Sequence, residues 1–223
     1  MKQIERLRPH QIEEALAQCS LIYLPLGTVE WHCHHLPVGL DALTAHGLCL
    51  RAAAQGGLVW PVLYYGTGGG HGEFPWTVMM PGRRELEALL TQTLCRLGDL
   101  GVARVVLFSG HFADEQLAMI DDLAAGWNAG GQNPHVTAFA VNRADVPGFA
   151  PDHAGLFETT LLDGLTEDLI DLSRLGPDTG DRFDPASPLW GIVGADPQGT
   201  PPLDKGALVA QMVAALVRAA GSS

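Results

Sequence analysis

Leu21-Ile22-Tyr23-Leu24-Pro25-Leu26-Gly27-Thr28-Val29-Glu30-Trp31-His32 passes from an unbroken apolar run, through a glycine turn, into a carboxylate and an imidazole. An apolar run with no polar alternation describes a strand buried on both faces, the habit of a parallel sheet covered by helices. The same order recurs at Arg104-Val105-Val106-Leu107-Phe108, which is followed by Ser109-Gly110-His111. Two such strands ending in polar side chains set the expectation of an α/β fold whose chemistry collects beyond the carboxyl ends of the strands.

Outward from these two strands, the pattern is of repeated strand, turn and helix. Pro9 to Gln18 reads as a short amphipathic helix, and a helix is expected from Asp41 to about Ala54, its first acid suiting the positive end of the helix dipole. Leu58 to Tyr65 is a second strand candidate. It delivers the chain to Gly66-Thr67-Gly68-Gly69-Gly70-His71-Gly72, read as a loop on the substrate side because so many glycines cannot hold regular structure cheaply. Helices are expected from about Arg83 to Leu97 and from beyond His111 to about Trp127, a further strand from Val136 to Val141, and a closing helix from about Asp204 to Ala220. The stretch from Gly176 to Pro202 is expected to be rich in loops. The alternation is that of parallel βαβ units, and residues 1–223 are expected to form a single domain.

Composition narrows the function. A formal charge of −12 argues against a nucleic-acid partner, whose phosphates call for clustered Lys and Arg. The chain is 47% hydrophobic and 17% charged, below the roughly 25% charged residues usual for soluble domains, as expected where another subunit covers part of the surface or where the chain is Gly-rich and loop-heavy. Cys19, Cys33, Cys49 and Cys95 have neither metal-finger spacing nor disulfide-scaffold density. The opening MKQIERLRPHQIEEAL lacks the apolar run of a signal peptide, and no apolar stretch reaches membrane-spanning length. The expectation is a cytoplasmic protein without a membrane partner.

Glu30 and His32 are one residue apart, so an extended segment points both side chains to one side. Asp41 follows at a helix start and His111 at another strand end. Two carboxylates with imidazoles form the mixed oxygen and nitrogen donor set that suits zinc, manganese or iron, and Asp41 could bridge two ions. Taken singly, each histidine is also compatible with a hydrogen-bonded structural role. At most one of His34 and His35 shares the direction of His32, and Cys33 is either a soft ligand or a buried thiol.

The run from Pro25 to Asp41 (PLGTVEWHCHHLPVGLD) resembles the signature of the creatininase (creatinine amidohydrolase) family. Further landmarks follow in order: Gly72-Glu73-Phe74-Pro75-Trp76-Thr77, Ser109-Gly110-His111, Asp152-His153-Ala154-Gly155-Leu156-Phe157-Glu158-Thr159 and Gly194-Ala195-Asp196-Pro197. The resemblance implies a three-layer αβα fold with a mostly parallel central sheet, one or two divalent ions and a homo-oligomer, often a hexamer. It implies that Glu30, Asp41 and His111 bind one ion and His32 and Asp41 a second, with Glu158 the preferred fifth ligand. Family members that hydrolyse creatinine usually carry a Glu two residues after the strand-end histidine, a position held here by Ala113. Asp114 and Glu115 could replace it, although helix capping explains both. Ser109 stands where Asn is common.

The reaction so implied is hydrolysis of a small, possibly cyclic amide by metal-activated water, with His153 as proton shuttle and Asp152 as its orienter or an alternate acid/base. His71 and Glu73 are candidates for shaping the pocket. Two rival readings arise from Ala113 and the altered neighbours: C–C cleavage of a cyclic ketone or diketone, and a catalytically silent, metal-free assembly protein.

Overall fold

A computed structural model of the protein describes residues 2–69, 73–80, 82–166, 168–176, 180–198 and 203–221, so His71 lies outside the described residues. The elements run α1 (Pro9–Gln18), β1 (Leu21–Leu26), α2 (Leu40–Ala53), β2 (Leu58–Val59), β3 (Gly66–Thr67), β4 (Met79–Met80), α3 (Arg84–Asp99), β5 (Arg104–Ser109), α4 (Asp114–Ala129), β6 (His135–Ala140), α5 (Leu156–Asp163) and α6 (Lys205–Gly221). The main sheet is parallel throughout, in the order β2-β1-β5-β6.

Alternation along the strands divides the core. Leu21 and Tyr23 of β1, with Val106 and Phe108 of β5, pack under α2, α5 and α6. Ile22, Leu24 and Leu26, with Val105 and Leu107, face α3 and α4. Helices on both faces of a parallel sheet give the three-layer αβα architecture, and they explain why β1 needs apolar side chains at every position.

Two expectations are corrected. The strand expected over residues 58–65 is only Leu58–Val59, since Pro61 has no N–H to offer the ladder and the chain meets β1 again only at a bridge between Leu63 and Leu26. The glycine run expected wholly as loop begins with paired backbone, Gly66–Thr67 lying parallel to Met79–Met80. Separately, α5 arises in a stretch with no helical expectation.

The register places the site. β1 and β5 pair from Leu21↔Arg104 to Leu26↔Ser109, so the strands end flush and the residues just beyond them emerge side by side. Gly27 and Gly110 then pass directly against the start of α2: a Cβ on Gly27 would lie 2.1 Å from the Ala42 nitrogen, and one on Gly110 2.1 Å from the Asp41 carbonyl oxygen. These glycines let the first turn of α2 settle onto the strand ends, which sets Asp41 between them. Gly110→Ala is therefore expected to cost about 1–3 kcal/mol through overpacking against rigid backbone, read as a lower urea midpoint of the chelated protein. An unchanged midpoint would show that α2 does not sit as closely as this.

Candidate metal centre

Glu30, His32, Asp41, His111 and Glu158 converge at the carboxyl ends of β1 and β5, each no more than 5% exposed. Glu30 and His32 lie at the start of an excursion that folds back on itself, since the Glu30 N–H donates to the Val38 carbonyl at 2.8 Å. His111 follows β5, and Asp41 and Glu158 come from the first turns of α2 and α5. Glu30, Asp41 and His111 form one triad of donor atoms within 4.8 Å of one another, His32, Asp41 and Glu158 a second, and Glu30, His32 and His153 a third.

His32 Nδ1 lies 3.0 Å from the Glu30 carbonyl oxygen, which can only accept, so Nδ1 carries the hydrogen and Nε2 faces the carboxylates. Nε2 is 3.3 Å from Asp41 Oδ1 and 3.6 Å from Glu158 Oε2. Across the cluster, His111 Nδ1 lies 2.9 Å from Glu30 Oε2 and 3.3 Å from Asp41 Oδ2. Despite these distances, His32 Nε2 and Asp41 Oδ2 are buried without hydrogen-bond geometry to any protein group. Atoms that approach without pairing, in a pocket of three carboxylates and two imidazoles, fit a divalent cation held between them. Tethering of the remote His nitrogen to a carbonyl is the usual support for such a ligand.

The electrostatics agree. Burial works against a charged His32, but Asp41, Glu158 and Glu30 outweigh it and raise its pKa to about 10. Burial is likewise outweighed at His111, which Asp41 and Glu30 raise to about 10. Asp41 is held well below the carboxylate range by His32 and His111 in spite of its burial, whereas burial, opposed by His32 and reinforced by Asp41, pushes Glu158 up. A negative field strong enough to retain protons on two buried imidazoles also favours a divalent ion in their place.

Other candidates fall into place around the cluster. The His153 ring lies over His32 with centroids 4.5 Å apart, and its Nε2 donates to the Trp31 carbonyl at 3.0 Å. Asp152, expected as an orienter of His153 or an alternate acid/base, accepts from the N–H groups of Phe157 at 2.9 Å and Glu158 at 3.2 Å, so its carboxylate caps α5 and steadies the backbone that carries Glu158. Glu158 Oε2 accepts from Ala154 N–H at 2.7 Å, with Ala154 in the left-handed region at φ 53°. Glu115 belongs to none of the three triads and accepts from Gly69 N–H at 3.3 Å. Glu73 is exposed.

Neither adjacent histidine joins the cluster. His34 meets Trp31 edge-on, and His35 Nε2 lies 3.0 Å from Thr159 Oγ1, its pKa lowered to about 4 by burial and by His32 and His34. Cys33 is a buried thiol at φ 60° whose Sγ donates to the Pro188 carbonyl.

The triads open into a cavity of about 180 Å³, whose other walls include Gly69, Phe112, Ala113 and His153. A larger groove of about 530 Å³ runs along another face of α5, but its charged groups, Lys205 and Asp163, satisfy each other at 2.9 Å in solvent. The smaller cavity is where the ionisable chemistry lies. Sequence reasoning missed Gln116, which is completely buried on the first turn of α4 and had only its helical position to mark it.

Comparison with known proteins adds identity to this geometry. The family model described as "Creatininase: Creatinine amidohydrolase" matches residues 5–219. The creatinine amidohydrolase of Pseudomonas putida is 28% identical over 217 residues, covering 87% of this chain and 81% of that protein. The mycofactocin precursor peptide peptidase of Mycolicibacterium smegmatis is 28% identical over 173 residues, 67% of this chain and 62% of its own length. A crystal structure of creatinine amidohydrolase (creatininase) superimposes with a TM-score of 0.80 at 25% identity, covering 98% of this chain and 96% of that one. Creatininase structures described as a Zn–Zn type and as the Mn form have TM-scores of 0.75 at 25% identity, each covering 97% of this chain and 96% of its own.

Proposed function

This chain belongs to the creatininase family, and from that premise we propose that it is a metal-dependent amidohydrolase that opens a small, cyclic amide. The observation that carries the reading is the convergence of two buried donor triads on Asp41. Glu30, Asp41 and His111 would hold one divalent ion, and His32, Asp41 and Glu158 a second. Zinc, manganese or iron bound there supplies a Lewis acid that polarises a carbonyl and brings the pKa of water toward neutrality.

The protein's own part is positional and acid–base. The Glu30 carbonyl fixes the tautomer of His32, and Asp152 fixes the turn that presents Glu158. His153, its Nε2–H committed to the Trp31 carbonyl, exchanges a proton at Nδ1 and delivers it to the departing nitrogen. The cavity's modest volume favours a compact substrate.

Ala113 bears on which substrate that is. It leaves a methyl group in the cavity wall at the position where creatinine-hydrolysing relatives are expected to carry a carboxylate. This favours a relative of creatinine over creatinine itself, and it sustains a second reading in which the same centre cleaves a C–C bond of a cyclic ketone or diketone. The buried His32 Nε2 and Asp41 Oδ2, unpaired in the protein, oppose the metal-free assembly reading, since a chain that never bound cations would bear their burial without return.

The family relationship and the exposed Trp76 and Phe183 support a homo-oligomer, expected to be hexameric, and the four free thiols support a cytoplasmic setting. Among the described residues, no helix is long and apolar enough to cross a membrane.

A panel of small lactams including creatinine, formamides and cyclic diketones, offered to zinc- and manganese-loaded protein, tests the reaction class. Amide turnover is expected. Diketone cleavage without amide turnover would replace the first reading with the second. Less than about half an equivalent of bound metal, with no gain on reconstitution, would reject both.

A further inference from the structure

We infer that Gln116 is a positioning residue of the metal centre, coupling the glycine segment at the cavity wall to the backbone that carries His111. The inference rests on the metal-centre reading above. Gln116 is 0% exposed on the first turn of α4, and both ends of its amide are engaged. Oε1 accepts from Thr67 N–H at 3.1 Å, and because a backbone N–H can only donate, this bond fixes which end of the amide is oxygen. Nε2 then donates to Ser109 Oγ at 3.3 Å, and Ser109 Oγ donates to the carbonyl oxygen of His111.

A continuous polar chain therefore runs from the backbone of β3, through two buried side chains, to the backbone of His111. Its two ends also meet through space. A Cβ on Gly66 would stand 3.4 Å from His111 Cδ2 and 3.1 Å from Thr28 Cβ, so β3 lies against the His111 ring and a side chain there would press on Thr28. Two residues beyond Thr67, Gly69 lines the cavity. Gln116 thus sets the distance between the segment that backs the imidazole and the strand end that delivers it. Glu115, on the same turn of α4, adds a grip at Gly69 N–H.

The amide is suited to this work because it donates at one end and accepts at the other without carrying charge, which a buried carboxylate or ammonium beside the acidic cluster would not allow. It also gives a reason for serine at position 109. A short hydroxyl receives the Gln116 amide on one side and still reaches the His111 carbonyl on the other.

The test uses zinc affinity, measured by chelator competition, and the visible spectrum of the cobalt-substituted protein, which reports the ligand geometry independently of turnover. Gln116→Met keeps the length and helix propensity of the side chain while removing both hydrogen bonds. It is expected to bind zinc roughly 10–100-fold more weakly and to shift the cobalt bands, as losses of outer hydrogen bonds to metal ligands do. Ser109→Ala cuts the chain at its other link and is expected to act in the same direction, with the double variant no worse than the more severe single one.

A lowered urea midpoint of the metal-free chain with zinc affinity and cobalt spectrum unchanged would make Gln116 a merely structural residue and overturn the inference. Additive losses in the double variant would overturn it too. If Gln116→Met does not fold, Ser109→Ala decides alone: wild-type affinity and spectrum in that variant refute the coupling. Wild-type protein that binds neither zinc nor cobalt would instead refute the metal centre itself.

Discussion

Asp41→Asn is expected to abolish metal retention and to lower amidase activity by more than the roughly 100-fold that loss of an outer-shell contact costs. The reason is positional. Asp41 belongs to both principal triads, with Oδ1 at 3.3 Å from His32 Nε2 and Oδ2 at 3.3 Å from His111 Nδ1. Asparagine keeps the shape of the side chain and its place in the first turn of α2, but it replaces one charged oxygen with an NH₂ that cannot ligate. Both sites lose a ligand, and the cluster loses the carboxylate that faces both imidazoles.

A linkage measurement separates this from a folding defect. A site filled at a hundredfold excess over its Kd contributes about 2.7 kcal/mol to stability, which in a domain of this size moves Tm by roughly 5–10 °C. Chelation should therefore lower the Tm of the wild-type protein visibly and leave that of Asp41→Asn where it was. A variant that still gains stability from zinc as the wild type does would remove Asp41 from the centre.

What made Asp41 visible in the sequence also shows where legibility ends. The apolar runs of β1 and β5 announce themselves because a strand buried on both faces cannot hide a polar residue, and the polar residues that follow them stand out by contrast. Glu30, His32 and His111 were legible for that reason, and Asp41 because an acid at the start of an apolar helix is conspicuous. The resemblance then brought in Glu158, and the structure places it within 3.6 Å of His32.

The helix that carries Glu158 was not legible. α5 is only eight residues long, holds β-branched Thr159 and Thr160, and takes its capping carboxylate from Asp152, outside the usual cap position at Gly155. The capping contacts of Asp152, which the sequence reading took as an orienter of His153 or an alternate acid/base, were hidden with it. Gln116 escaped for a related reason: its partners, Thr67 and Ser109, are brought to it by the sheet and by the return of the glycine segment, and a glutamine in a helix carries no local mark of that. The length of β2 failed on a single feature, Pro61, which an apolar run of the same composition conceals.

Glu158→Gln is expected to reduce bound metal from two ions per chain to one and to lower kcat by roughly 100-fold. Glutamine can keep the hydrogen bond from Ala154 N–H through its own amide oxygen, so the turn at Ala154 and Gly155 should survive. The group it then aims at His32 is an NH₂, and the triad of His32, Asp41 and Glu158 is left one ligand short. The other triad keeps all its members, so an ion held by Glu30, Asp41 and His111 should remain.

This outcome also decides between the acids that could complete the shell. Asp114 is exposed, and Glu115 is spent on Gly69 N–H, so Asp114→Asn and Glu115→Gln are expected to retain two ions. The measurement is metal content by atomic emission after gel filtration, together with chelator titration of each variant. Two ions in Glu158→Gln with wild-type affinity, and one ion in either of the others, would move the fifth ligand to the first turn of α4. In that case the acid missing at position 113 would have been replaced by a neighbour one or two residues on, and the centre would be closer in plan to that of a creatinine-hydrolysing relative than the geometry around Glu158 indicates.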